Sequence, residues 1–298
     1  MDVDYNGWWM DLIPTQVIRE IGLSLPIFIK WDDAEYGLRA KKAGYHTVSL
    51  PGAAVWHVSW IDKDDLVGWQ AYFHIRNRII ASLIHSPYER GGRLLKESLF
   101  ADVKHLLSMQ YFTEAGRLKA LEDVLAGPDQ LHDIQPQRLP EIRAMVKEFS
   151  DAQFKEDIDA FPEPKMSKPP RKGFRPPTYR ELPAWTVKTA AKQLFVPMDK
   201  KYEQAPQAQI AHQDNRWWRT AKYDSVLVSN AEGTALSWYK RRPELLRSNL
   251  VQASKLTAQI LRQWPALSEQ YRAAAARITS FAEWEKTFAK HTDSELKR

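Results

Sequence analysis

Cysteine is absent from all 298 residues, which excludes disulfide frameworks, cysteine-ligated zinc and thiol nucleophiles together. Equally absent is any run approaching the ~18 consecutive apolar residues that a membrane-spanning helix needs. Asp2 and Asp4 stand where a secretory signal carries basic residues, so the chain is expected neither to span a membrane nor to be exported by that route. Internal repeats are lacking too. What remains, 44% hydrophobic and 27% charged, is the composition of a globular protein, and the length is about twice that of one ordinary domain.

The charge is mildly basic, 43 Lys and Arg against 37 Asp and Glu, which suits an acidic partner such as nucleic acid, phospholipid or a phosphorylated substrate. Its distribution is uneven. Between residues 161 and 184 lie seven prolines with Lys165, Lys168, Arg171, Lys172, Arg175 and Arg180, opposed only by Glu163 and Glu181. Proline fixes φ and removes a backbone donor, so this stretch is expected to be an extended surface connector. Its cations either touch an anionic membrane surface or simply hold a solvated linker open by mutual repulsion. Aromatics interleave with them only at Phe174 and Tyr179, so nucleic acid is not the expected partner.

Short alternating signals before about residue 62 predict an α/β region. A helix is expected over 14–22, an apolar run of strand length over 23–29, a helix over 33–43 stopped by Gly44, and strands over 46–50 and 53–59 around the Pro51-Gly52 turn. From Leu66 the texture becomes helical, with segments over 66–85, 92–109, 113–126 and 139–154. Beyond the connector, 225–229 and 234–239 flank Asn230-Ala231-Glu232-Gly233 as a hairpin, and helices over 243–263 and 265–290 close the chain. The expected organisation is therefore an α/β portion over 1–62, a helical bundle over 63–160, the connector, and a mostly helical domain with a hairpin over 185–298.

The densest chemistry lies in Trp31-Asp32-Asp33-Ala34-Glu35-Tyr36-Gly37. Asp32 suits a helix N-cap, where its carboxylate would accept from free backbone N–H groups. Alternatively, one aspartate caps while the other points off the carboxyl end of a sheet, where an ionised carboxylate can remove a proton from a hydroxyl nucleophile. His57, in Val55-Trp56-His57-Val58, is either a packed strand histidine or a neutral imidazole facing away from Trp56 and able to ligate Mn²⁺ or Mg²⁺. Trp8 and Trp9 follow the turn-like Asn6-Gly7 and are either core or a platform for the C–H faces of sugar rings. A second pair, Trp217-Trp218, sits between Arg216 and Arg219 and reads as packing or subunit contact in a homo-oligomer.

In order, Trp8-Trp9-Met10, Trp31-Asp32-Asp33-Ala34-Glu35-Tyr36-Gly37, Pro51-Gly52-Ala53-Ala54-Val55-Trp56-His57 and His74-Ile75-Arg76-Asn77-Arg78 resemble the motifs of inverting glycosyltransferases of the GT-A fold. More narrowly, the chain is similar to the mycobacterial-type galactofuranosyltransferases that polymerise cell-wall galactan. The resemblance implies the α/β edge of a GT-A domain followed by mostly α-helical C-terminal domains. It implies Asp33 as general base with Asp32 beside it, Trp8, Trp9 and His74 on the acceptor side, and His57 as ligand of Mn²⁺ or Mg²⁺. It further implies a UDP-galactofuranose donor, a lipid-linked galactan acceptor and a peripheral place on the cytoplasmic face of the cell membrane. In such enzymes the nucleotide-binding half precedes the Trp-Trp segment, whereas here seven residues do; Asp2-Val3-Asp4 matches an acidic metal motif by letter only. The chain is thus expected to be the C-terminal half of such an enzyme and not to transfer sugar alone. A noncatalytic helical assembly or membrane-association module is the alternative.

Overall fold

The computed structural model describes residues 2–52, 55–57, 66–165 and 175–295. In chain order the helices are α1 (Thr15–Ile21), α2 (Asp32–Lys42), α3 (Gln70–His85), α4 (Leu94–Leu107), α5 (Tyr111–Leu125), α6 (Leu131–Ala144), α7 (Leu182–Phe195), α8 (Lys200–Gln204), α9 (Trp217–Thr220), α10 (Pro243–Ile278) and α11 (Phe281–Glu295). The strands are β1 (Asp2–Val3), β2 (Thr47–Val48), β3 (Ala208–Ile210), β4 (Ser225–Ser229) and β5 (Leu236–Lys240). The protein is mostly helical, and none of the described helices is long and apolar enough to cross a membrane.

At the centre runs α3, buried on nearly every side through Tyr72, Phe73, Ile75, Ile79, Ile80 and Leu83. A helix apolar all round must be enclosed by others. Here α5 and α10 enclose it, and the resulting core joins Leu25 and Ile27 to Ile260, Trp264, Leu267, Tyr271 and Ile278. Side chains from both sides of the proline-rich 161–184 stretch therefore share one core.

Two closing helices form as expected, but the break falls after Ile278 instead of at residue 264, so α10 is a single helix of 36 residues, about 54 Å long at 1.5 Å per residue. Pro265 lies inside it and costs about 3 kcal/mol through its missing N–H and its clash with the preceding turn. The buried stripe Leu246, Ala253, Thr257, Ile260, Trp264, Leu267, Tyr271, Ala274, Ile278 nonetheless passes through the proline without losing phase. Burying each large side chain contributes about 1.5–3 kcal/mol, so Trp264 and Leu267, on either side of Pro265, together offset the break. Likewise α6 starts at Leu131, eight residues before the expected 139, and contains Pro136 and Pro140, with Leu131, Ile134 and Ile142 buried. The described part of the connector, 161–165 and 175–181, forms neither helix nor strand. Its last residues belong instead to α7, which opens at Leu182 with Pro183 in its first turn, where a proline's fixed φ is pre-organised.

A second core wraps a three-stranded sheet of order β3-β4-β5, parallel between β3 and β4 and antiparallel between β4 and β5. The hairpin forms as expected, closed by Asn230, whose Oδ1 accepts from Thr234 N and Ala235 N; β5 itself begins at Leu236. Trp217 packs edge-on to Trp185 at 5.3 Å, so that tryptophan is a packing residue.

The amino-terminal part departs most from expectation. Residues 23–29 are not a strand, and the expected strand over 46–50 shrinks to β2, paired antiparallel with β1. Of the expected strand over 53–59, residues 55–57 are irregular and exposed, while 53, 54, 58 and 59 lie outside the described residues. A buried backbone must satisfy its polar groups somewhere. With no neighbouring strand among the described residues, the 21–30 carbonyls turn to side chains. Arg39 donates to Ile21 O at 2.6 Å and Leu23 O at 2.9 Å, Trp284 Nε1 donates to Ser24 O at 3.0 Å, and Arg76 and Asn77 take the carbonyls of Ile27, Ile29 and Lys30. Leu23 N in turn donates to Thr279 O at 2.8 Å, which docks the segment on the α10–α11 turn.

Candidate active site

The backbone approaches α2 through three left-handed residues that are not glycine: Phe28 (φ 69°), Lys30 (φ 72°) and Trp31 (φ 67°). Such φ values disfavour residues carrying a Cβ, and they persist only where surrounding contacts over-determine them. The motif His74-Ile75-Arg76-Asn77-Arg78 on α3 supplies those contacts. Asn77 Nδ2 lies 2.9, 2.8 and 2.9 Å from the carbonyls of Ile27, Ile29 and Lys30, its two hydrogens shared among three acceptors. Its Oδ1 accepts from Arg76 Nε at 2.8 Å, which settles the amide's orientation, and Arg76 Nη2 adds a bond to Ile27 O at 2.9 Å. Trp31 then rests edge-on to His74 at 6.0 Å and beneath Arg78 at 5.7 Å.

This approach changes the expected cap. Trp31, not Asp32, is the N-cap of α2, and Asp32, Asp33 and Glu35 all lie in its first turn. A left-handed residue completes the entry, so neither aspartate is the N-cap, and both carboxylates instead meet first-turn N–H groups and the helix dipole. Asp33 Oδ1 accepts from Ala34 N at 2.7 Å, and the side chain lines a cleft. Asp32 is half-buried; burial pushes its carboxyl above the usual range, backbone N–H groups of Asp32 and Asp33 pull it back in part, and the neighbouring Asp33 charge pushes it up again. Glu35 is wholly buried and paired, with Arg39 bidentate at 3.1 Å and His85 Nε2 at 3.1 Å. That ion pair locks α2 to α3 and, through Arg39, to residues 21–23.

The cleft has a volume of about 720 Å³ and is bounded by Asp33, Tyr36, Trp8, Trp9 and the 45–50 segment. Trp8 stands edge-on to Tyr36 at 5.4 Å, and Trp9 packs against the His57 ring at 4.7 Å. Both indoles keep faces in solvent, at 38% and 57% exposure, as a sugar platform requires. Gly37 makes this possible: a Cβ there would come 2.5 Å from Tyr5 Cβ, so only glycine lets the amino-terminal arm cross α2 and carry the tryptophans to the cleft.

Of the expected site residues, the structure gathers Asp33, Trp8 and Trp9 around one cleft and brings His57 against Trp9. His74 touches Trp31 instead and does not border the cleft, nor does Asp32. A lone imidazole is one metal ligand, and among the described residues no three His, Asp or Glu gather to hold an ion. The described residues therefore do not form a Mn²⁺ or Mg²⁺ site by themselves. The residues that sequence reasoning left without a role are Arg76 and Asn77. Two fully polar residues inside an otherwise apolar helical period were the available signal.

Comparison with known proteins matches residues 94–290 to the family described as "Galactofuranosyltransferase-2, domain 3". The chain belongs to that galactofuranosyltransferase family. Among relatives of the family, the galactofuranosyltransferase GlfT2 of Mycolicibacterium smegmatis is 38% identical over 299 aligned positions, covering 100% of this chain and 46% of the relative. Its namesake in Mycobacterium tuberculosis is 36% identical over 287, covering 96% of this chain and 45% of the relative. The chain thus spans a little under half the length of these galactofuranosyltransferases. The family match begins at Leu94, so the cleft and the Trp-Asp-Asp junction lie before it, within the part aligned to the Mycolicibacterium smegmatis relative.

Proposed function

We propose that this chain carries the acceptor side of an inverting galactofuranosyltransferase site, at the edge of a GT-A domain, with Asp33 as general base. The observation that carries the proposal is the placement of Asp33 at a cleft walled by two exposed indoles. Tryptophan faces bind the C–H faces of a furanosyl acceptor, and the carboxylate accepts the proton of its attacking hydroxyl. The deprotonated oxygen attacks the anomeric carbon of UDP-galactofuranose from the face opposite the diphosphate, UDP departs, and the configuration inverts. His57 would supply one ligand to Mn²⁺ or Mg²⁺, an ion that when bound would offset charge on the departing diphosphate.

The acceptor in this proposal is a lipid-linked galactan at the cytoplasmic face of the membrane. The basic 161–184 stretch attracts the anionic lipid surface, at about 1 kcal/mol per Lys or Arg near it. Association into a homo-oligomer belongs to the same proposal.

Asp33→Asn in the full-length protein tests it. The amide keeps the shape and cannot take the proton, so turnover should fall about 10²- to 10⁴-fold with donor binding nearly unchanged. Turnover within about threefold of the parent overturns the assignment.

A further inference from the structure

The left-handed run at Phe28, Lys30 and Trp31 raises the question of what holds it, because the direction in which α2 leaves Trp31 decides where Asp33 points. An Asx side chain seldom meets three main-chain carbonyls. Asn77 does so while wholly buried, at 0% exposure, and its own oxygen is held by Arg76. We infer that Asn77 is a positioning residue for the Asp33 carboxylate: its amide clamps the 27–30 backbone in the left-handed path and thereby sets the angle at which the first turn of α2 enters the cleft. This rests on the assignment of Asp33 as general base.

The clamp has the properties that positioning demands. It sits on α3, which α5 and α10 enclose, and is itself wholly buried, so its own side chain cannot drift. It acts on main chain, so the effect passes rigidly through Lys30 and Trp31 to Asp32 and Asp33. A second device braces the far side of α2 without duplicating it, since the side chains of Glu35, Arg39 and His85 tie α2 to residues 21–23 and to α3, while only the helical Glu35 N–H reaches back, to Trp31 O at 2.9 Å. Without Asn77, Ile29 O and Lys30 O lose a buried donor and the strained φ values lose their restraint. A carboxylate displaced by about 1 Å from its reacting hydroxyl loses on the order of 10²-fold in rate.

The experiment is a double-mutant cycle in the full-length protein, with transfer from UDP-galactofuranose to a galactofuranosyl acceptor as readout. Asn77→Ala should lower kcat about 10- to 100-fold with donor KM within about twofold. Asn77→Ser, which keeps one hydroxyl donor, should fall between Ala and the parent. Combined with Asp33→Asn, either change should cost almost nothing more, since there is no longer a base to aim. A packing role would instead lower the activity of the Asp33→Asn background by the same factor as the parent, and that result overturns the inference. Parental kcat in Asn77→Ala overturns it also. If Asn77→Ala does not fold, as read by circular dichroism, the Ser variant carries the same cycle. Loss of activity in Asn77→Ala with none in Asp33→Asn would strike the general-base assignment, whereas the reverse pattern would strike only the clamp.

Discussion

Asp151 Oδ2 accepts from Phe112 N at 3.0 Å, so a buried carboxyl from beyond α6 closes the amino-terminal end of α5. Burial pushes the Asp151 carboxyl up to about 7, against the pull of the Phe112 and other backbone N–H groups and of Arg242. The native state therefore holds this proton where the unfolded chain, with a value near 3.8, has released it. Stability from this group is complete below about pH 4 and declines as pH rises to about 7. Asp151→Asn keeps the acceptor for Phe112 N and should flatten that decline; melting temperatures at pH 5 and pH 7.5 check it, the parent losing more than the variant across the interval.

Glu114 and Arg117 make the opposite pair of cases. Neither Glu114 oxygen has a hydrogen-bond partner among the described residues, and the nearest Arg117 nitrogen lies 3.9 Å away. Burial, with the Asp102 charge adding to it, raises the Glu114 carboxyl well above its usual range. Glu114→Gln should then change stability by less than about 1 kcal/mol. Arg117, held to Asp102 at 2.5 Å, is the only cation paired with that buried aspartate among the described residues. Arg117→Ala should cost about 3–5 kcal/mol, because it strands a buried charge. Denaturant midpoints of the two variants compare them.

Gly37→Ala separates the cleft from the core. The new methyl would meet Tyr5 and push the amino-terminal arm off α2, while Tyr5 and Gly37 lie outside the main core cluster. Acceptor affinity should weaken at least tenfold while the melting temperature moves by only a few degrees. Isothermal titration with an oligogalactofuranoside gives the first number and calorimetry the second.

His57→Ala should raise the Mn²⁺ or Mg²⁺ concentration needed for half-maximal transfer far more than it changes the acceptor KM. A metal titration that does not move would make His57 a packing partner of Trp9 and nothing more.

What the residue pattern alone determined is the part governed by short-range physics. The 3.6-residue period marked α3, α4, α5 and the carboxy-terminal helices, and Asn230 to Gly233 marked the hairpin, because helix faces and turns are chosen by neighbours a few positions away. The ordered motifs also brought Asp33, Trp8 and Trp9 forward as a group. Tertiary structure decided the rest. Pro265 reads locally as a break, and only the partners of Trp264 and Leu267 on α3 and α5 make one helix the better solution. Residues 23–29 read locally as a strand. Their carbonyls are instead claimed by Arg39, Asn77 and Trp284, which lie 16 to 260 positions away, and no local propensity encodes such partners. The same long-range claim forces Trp31 left-handed, takes the cap from Asp32 and leaves Asp33 at the cleft. The carboxylate is thus visible in the sequence, whereas its direction is set by an asparagine on another helix.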